Sequence, residues 1–562
     1  MTRSKLFSSI LILLFIGRLL NAQDCLLGTA VDTLVLDEQE IEFILSGNLG
    51  FTLNSNDISI RPRWLGGIWI VGKDSLDYIK LNASSFGFFG NRSSYWPGPI
   101  IPNGSTANAA SCANWDIIFR VNQADIQSFI SDFEENGNLG NPIPTSIAGW
   151  PARGNPLFLE QRGFELPSMT LAPFVDINND GIYDPRQGDY PEIASADEAL
   201  WWMINTNGNI DTETAGDNLI LDIQVMVYNY IEDPVLNNSL VYDIDLIQRG
   251  EGTIDSTFFG FWFDTDTSCP SQGIGCIPSE NLSFFYDNGI DNSPYCTVFQ
   301  NKRPLEYGVK QLRGPLAPRV FDENMNLVYP DFGIAADTFV EQRMSSFKHY
   351  YRNSSTTESF ETGPANAFHY YNLLQGLWRD GQEQTFNGVP TPFAFQGNPA
   401  NPQAGDTPYC ENDRREEASF LMNSGPFRME PESRHSLTYV LTKTPAGGEE
   451  CPDVSNLIND LSEVEDELSE ILTSTKVLPA TKNEVKIFPN PANFEITFQV
   501  ETGNENIKEL EIYSATGALL NRAESINTKQ YKFDLAGYYP GVYFYKLETE
   551  SGFYYSGRFI KQ

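Results

Sequence analysis

Oxygen-bearing side chains alternate along Asp176-Ile177-Asn178-Asn179-Asp180-Gly181-Ile182-Tyr183-Asp184. Oxygens at alternate positions of a tight loop can converge on one hard cation, and Gly181 permits the sharp turn between them. Asp176, Asn178, Asp180 and Asp184 are the expected side-chain ligands, Ile182 supplies a backbone carbonyl, and Asp189 or Glu192 completes the shell. The pattern is not an EF-hand. Gln187 stands where the twelfth-position glutamate is needed, and Pro173-Phe174-Val175 argues against an entering helix. The expected ion is a structural calcium that stabilises a long loop, because metal binding and folding are linked. A solvated Asn/Asp/Gly turn is the competing reading.

A second acidic group, Asp264-Thr265-Asp266, is placed where the apolar run Phe258–Phe263 ends. With Asp243 and Asp245, or Asp287 and Asp291, it offers a second cation site or a carboxylate pair for glycoside hydrolysis. A strand-end turn is the plainer reading. Trp201, Trp202, Trp262 and Trp378 are candidates for stacking on sugars, against a default of buried core. The chain holds three histidines, His349, His369 and His435, and no H-E-x-x-H, G-x-S-x-G, P-loop or Rossmann glycine pattern. No catalytic residue is assigned.

The elements that must position these groups are mostly strands. Ile68–Gly72 reads as a buried strand and Tyr95–Pro99 as a rigid aromatic turn, while Asp116–Val121 is a further strand candidate and Ala124–Glu135 a short helix. Residues 141–205 are loop-rich, with eight prolines between Pro142 and Pro191. Leu221–Tyr228 and Val241–Leu246 alternate around the turn Pro234–Asn238, and Phe258–Phe263 follows, a succession that predicts an antiparallel β-sandwich. Val454, Leu457, Leu461, Val464, Leu468 and Ile471 then form one apolar seam at helical spacing, expected to dock on the preceding domain.

The first residues read as an export signal: Arg3 and Lys5, the apolar run Leu6–Ile16, and a cleavage point at Asn21-Ala22 before Gln23. Asp24 before Cys25 argues against lipidation of that cysteine. The formal net charge is −37, and loss of the three bases in residues 1–22 takes it to about −40. Such a surface repels nucleic acid and suits divalent cations and solubility. Seven cysteines pass an oxidising compartment on export, which makes disulfides plausible. Cys269 and Cys276 are close enough in sequence to staple one loop, and the other pairings are open.

Residues 486–562 open on Lys486-Ile487-Phe488-Pro489-Asn490-Pro491-Ala492 and close on Pro540–Leu547, then Gly557-Arg558-Phe559-Ile560-Lys561-Gln562. Strand candidates near Val485, Phe494, Ile507, Leu519, Tyr531, Val542 and Tyr554 predict a seven-stranded Ig-like sandwich. This stretch resembles the type A C-terminal sorting domain of the type IX secretion system of Bacteroidetes. The resemblance implies recognition by the outer-membrane translocon, removal of the domain by a sorting protease, and release or attachment to surface lipopolysaccharide. The signal residues it implies are Pro489, Asn490, Pro491, Gly541, Tyr543, Gly557 and Lys561.

Residues 60–445 resemble a group of secreted Bacteroidetes cargo proteins with the same tail and no assigned activity. The matching stretches include Trp96–Pro99, Trp150–Asn155, Leu171–Asp176, Gly188–Pro191, Phe259–Asp264 and Ser424–Phe427. Relatives tend to carry a longer acidic run after the segment matching Asp264–Asp266, where this chain has Ser268-Cys269-Pro270.

The expected organisation is a signal peptide at 1–22, a β-rich, loop-rich region at 23–210 with the calcium-like loop, a β-sandwich region at 211–450, an amphipathic helix at 451–472, a linker at 473–485 and the sorting domain at 486–562. The expected fold is mainly β, with a β-sandwich ectodomain. The expected function is a secreted or cell-surface cargo protein, exported through the periplasm, calcium-stabilised and acting in binding or adhesion to a glycan or protein. An extracellular hydrolase of polysaccharide or protein, and a structural surface component, are the alternatives.

Overall fold

Alternation along Ile254–Asp266 sets the layering: Phe259, Phe261 and Phe263 go to one face, Gly260, Trp262 and Asp264 to the other. The structure is a computed structural model that describes residues 25, 28–36, 41–46, 51–55, 63–85, 93–100, 109–136, 140–178, 180–214, 216–266, 272–287, 305–318, 339–351, 359–386, 388–401, 418–445, 453–475, 485–500, 506–513, 519–535, 537–538, 541–549 and 554–561. The expected signal peptide lies outside them.

Ile254–Asp266 is a central strand of the first sheet, whose order is Val31–Leu36, Ile41–Ser46, Phe51–Ser55, Arg63–Lys73, Ile254–Asp266, Ala418–Met429, Met344–Tyr351, with Ile79–Ala83 branching off Arg63–Lys73. The second sheet runs Gln272–Ile277, Leu282–Asp287, Leu305–Arg313, Arg434–Pro445, Ser239–Gln248, Leu221–Asn229, Glu198–Asn205, Trp96–Pro97, with Phe119–Asn122 branching off Glu198–Asn205. The sheets meet through aromatic rings: Phe261 lies 5.1 Å from Tyr439 and 6.1 Å from Tyr242, and Phe263 lies 6.3 Å from Phe285. These inner-face rings lose nearly all contact with water, worth about 1.5–3 kcal/mol for a fully buried large side chain.

Both outer faces are covered as well. On the first sheet Trp69 stacks on Trp262 at 6.4 Å, and the short helix Ala367–Leu374 lays Tyr370, Leu373 and Leu374 over them. The helix approaches so closely that a Cβ on Gly260 would stand 2.3 Å from Leu374 Cδ2. On the second sheet the helix Ser455–Thr475 does the same with the expected seam. Val454, Leu457, Leu461, Val464 and Leu468 are all buried, and a Cβ on Gly308 would lie 2.8 Å from Leu461 Cδ1. Lys310 holds Glu465 of that helix at 2.6 Å.

Strands from either side of residue 210 pair side by side in both sheets, so regions 23–210 and 211–450 form one sandwich. Leu221–Asn229 and Ser239–Gln248 are antiparallel neighbours, as their alternation predicts, but the next strand crosses to the opposite sheet. The amphipathic helix extends to Thr475, and Val485 already opens a strand, so the expected linker narrows to residues 476–484, which lie outside the described residues. Cys25 is joined to Cys112 across a sequence separation of 87, which ties the start of the ectodomain down and gives its sulfur a partner other than lipid. Cys276 is a buried free thiol whose Sγ meets Ala394 O at 3.2 Å, so the Cys269–Cys276 staple does not form.

The C-terminal unit is a separate sandwich of three and four strands: Val485–Phe488, Glu495–Val500 and Gln530–Asp534 in one sheet, and Leu519–Thr528, Ile507–Tyr513, Gly541–Thr549 and Tyr554–Lys561 in the other. Its seven strands are those predicted. Ile496, Phe498, Leu510, Ile512, Leu547 and Phe559 fill the space between them.

Candidate functional site

The oxygen-rich loop stands on a two-stranded ribbon in which Phe174–Val175 pairs with Tyr190–Pro191. Its surroundings are packed. Trp150 Nε1 donates to Pro173 O at 2.9 Å, Tyr183 is buried with its hydroxyl on Ile147 O at 2.9 Å, and Phe174 meets the Tyr183 ring edge-on at 5.3 Å. Gln224 Nε2 of the second sheet reaches Thr170 O at 2.9 Å. The loop is therefore held at its base while its tip is open to solvent.

Within the loop, Asp176 accepts from the backbone N–H of Gly181 at 2.7 Å and of Asp180 at 3.3 Å. Asn178 Oδ1 accepts from Asp180 N at 3.0 Å, and its Nδ2 donates to Asp180 Oδ2 at 3.0 Å and Gln187 Oε1 at 2.8 Å. Asp180 Oδ1 accepts from Ile182 N at 2.8 Å. Gly181 takes the left-handed φ of 75° that its place in the turn demands. Asp176, Asn178, Asp180 and the Ile182 backbone thus belong to one hydrogen-bonded turn.

Asp189 closes that turn from below. It is fully buried, and its carboxylate accepts from Ile177 N and Asp184 N, both at 2.9 Å, clasping the two ends of the loop. Burial raises its proton affinity, and the charges of Asp176 and Asp180 raise it further, against the lowering effect of the two N–H groups. Asp184 points elsewhere: its carboxylate caps the turn Pro185–Gln187 and pairs with Arg186 at 2.9 Å, which holds it below the usual carboxylate range. Glu192 accepts from Ala194 N at 3.0 Å. Among the described residues no group of three or more His, Cys, Asp or Glu side chains stands in metal-holding geometry. In donor chemistry Asp176, Asn178, Asp180 and Asp189 fit calcium: hard oxygens, with three carboxylates close enough for two to act on the third.

The second acidic group forms the last three residues of the strand Ile254–Asp266, as a strand-end reading expects. Asp264 pairs on both sides, Thr265 and Asp266 only with Arg63–Lys73, and Asp264 is buried with Ser419 Oγ on its Oδ1 at 3.0 Å. Asp243 and Asp245 lie on the second sheet, alternating with Tyr242, which faces the inner core. They bond across the strand to Thr438 and to Ser436 and Arg434. The sheets turn Asp264 and this pair to opposite outer faces and do not bring them together. Asp291 and the side chains of Asp266 and Asp287 lie outside the described residues. Trp201, Trp202, Trp262 and Trp378 are core residues with at most 9% of their surface exposed.

Sequence reasoning missed the buried polar groups. Asp222, with no exposed surface, accepts from Ile100 N and from Arg249 Nε, both at 2.7 Å. Lys348, also fully buried, lies in the strand Met344–Tyr351 beside Gln384 and Trp378. An inward lysine inside Phe347-Lys348-His349-Tyr350-Tyr351 was the available signal.

In the sorting domain the implied signal residues converge. Lys561 pairs with Gly541 across neighbouring strands, and its backbone also bridges to Ala492, the residue after Pro491. Pro489, Asn490, Pro491, Gly541 and Lys561 therefore gather at one end of the sandwich, with the prolines and Asn490 exposed. Tyr543, one step inward, stacks on Phe559 at 5.6 Å, and Gly557 pairs with Tyr545.

No curated protein matches the chain. Among solved structures, a polysaccharide lyase is 8% identical over 61% of this chain and 35% of its own, with a TM-score of 0.16, a likeness too distant to bear on fold or activity. The chain spans about a third of that lyase's length. No helix among the described residues is long and apolar enough to cross a membrane. Residues 486–562 match the family described as the secretion system C-terminal sorting domain. The chain is thus cargo of the type IX secretion system, carried to secretion or to the cell surface by that domain.

Proposed function

We propose that the exported ectodomain is a calcium-stabilised binding and adhesion protein, released or attached to surface lipopolysaccharide once its tail is removed. The observation that supports the calcium is the clasp: a fully buried Asp189 carboxylate under a turn that carries Asp176 and Asp180. A cation held by these three carboxylates, Asn178 and the Ile182 carbonyl would offset their repulsion and fix the loop. The two-layer core, sealed on both outer faces, supports a rigid scaffold that presents loops. The hydrolase alternative drew on Asp264 and Asp266 with Asp243 and Asp245, or with Asp287 and Asp291; opposite outer faces do not favour Asp264 with Asp243 or Asp245, and the other groups lie outside the described residues. A self-associating surface component has no specific observation in its favour.

Calcium titration of the mature protein, followed by thermal unfolding, tests the reading. Stabilisation should saturate and reach about 2.7 kcal/mol at a hundredfold excess over the dissociation constant. Asp180→Asn should weaken that response with little change in the calcium-free protein. An unfolding temperature indifferent to calcium would sink the proposal. Glycan and protein arrays probed with the calcium-loaded protein then test for a ligand, and turnover of any arrayed polymer would replace adhesion by hydrolysis.

A further inference from the structure

The edge strand Met344–Tyr351 of the first sheet carries Lys348 with none of its surface exposed. Its Nζ lies 2.6 Å from Oε1 of Gln384 and 3.3 Å from the ring centroid of Trp378. Both partners sit on a tightly bonded turn. Trp378 N donates to Gln382 O at 2.8 Å, Gly381 N to Trp378 O at 2.8 Å, and Thr391 N to Gln384 O at 2.9 Å. Gln384 is 8% exposed and Trp378 9%. An ammonium in this place exchanges its hydration shell for one amide oxygen and an aromatic face, poor compensation for a buried charge. Burial pushes the Lys348 amine down to about 6, against the opposing charges of Glu361 and Asp380. The uncharged amine is the nucleophilic form.

We propose that Lys348 and Gln384 join in an intramolecular isopeptide bond in the folded protein. The Nζ lone pair attacks Cδ of Gln384, and the carbonyl π pair moves onto Oε1. It returns as the Cδ–Nε2 bond breaks. The proton shed by Nζ ends on Nε2, which departs as ammonia, and nothing is oxidised or reduced. The bond replaces a buried hydrogen bond by an amide and ties the edge strand to the turn 36 residues further on. Edge strands are where sheets open and pair wrongly, so a covalent tie there suits a protein that works outside the cell.

Tryptic mapping of the full-length mature protein, after incubation folded at neutral pH, tests this. The expected result is a branched peptide joining Lys348 to Gln384, short of one ammonia, with no cleavage after Lys348. Lys348→Arg and Gln384→Leu should each return linear peptides of full mass. Cyclisation of an N-terminal Gln23 also expels ammonia, so the branched peptide decides and the intact mass does not. Complete cleavage after Lys348, with the Gln384 peptide linear at full mass, would overturn the proposal.

Discussion

In the sorting domain Ile496 and Phe533 are buried, while their chain neighbours Glu495 and Lys532 pair in the open at 2.8 Å. In the ectodomain the strand Leu221–Asn229 is buried at every position. One sandwich leaves much of its outer faces to water; the other seals them with helices and loops. The difference teaches where polar groups do their work. In the sorting domain an ionic pair sits at the surface, where solvent screens it. In the ectodomain Asp222, Gln224, Lys348 and Asp189 are enclosed, and each must find a partner, neutralise or react.

The largest test of this contrast concerns location. Deleting residues 486–562 should abolish surface delivery and leave the ectodomain folded inside the envelope, read by fractionation and protease resistance of the retained chain. A truncated protein that still reaches the surface would break the division of labour between the two sandwiches. Next comes Arg249→Ala, which strands the fully buried Asp222 and should cost about 3–5 kcal/mol in chemical denaturation. Its counterpart Lys532→Ala, at a sorting-domain pair with Glu495 whose partners are both more than half exposed, should cost no more than about 1 kcal/mol and is the smallest effect expected. Equal losses at the two sites would erase the comparison.

Between these lies a pH effect. His435 is 7% exposed, and its Nε2 bonds Arg428 O at 3.0 Å while the ring packs on Phe427 at 4.8 Å. Burial pushes it down to about 4. The unfolded chain then binds the extra proton first, so ectodomain stability falls as pH drops from about 6.5 to about 4, by up to about 3 kcal/mol. Asp189 acts in the opposite sense: its raised proton affinity favours the folded state as pH falls. The difference between the wild type and His435→Gln is therefore the quantity to measure, and identical slopes would refute the assignment. All three histidines precede the sorting domain, which should lack this term.

Alternation and period made much of the architecture legible. The seven strands of the tail, the seam Val454–Leu468 and the pair Leu221–Asn229 with Ser239–Gln248 all follow from local pattern, because each has a face that water or core dictates. Crossing was not legible: nothing in the run Phe258–Phe263 says which sheet it joins, and it lies in the one opposite Ser239–Gln248. The candidate loop was legible as composition but not as arrangement. Alternating oxygens named Asp176, Asn178 and Asp180, whereas the turn of Asp184 toward Arg186 and the clasp of Asp189 depend on how the ribbon Phe174–Val175 and Tyr190–Pro191 brings the loop ends together.

Sequence alone determined the β character, the export tail and its strands, and the oxygen-rich loop, since these rest on neighbours within a few residues. Tertiary structure alone decided that two sequence regions share one sandwich and that Cys25 meets Cys112. It also turned Asp264 and Asp243 apart and set Lys348 against Gln384. Those outcomes depend on contacts between residues tens to hundreds of positions apart, fixed by sheet pairing and core packing rather than by local pattern.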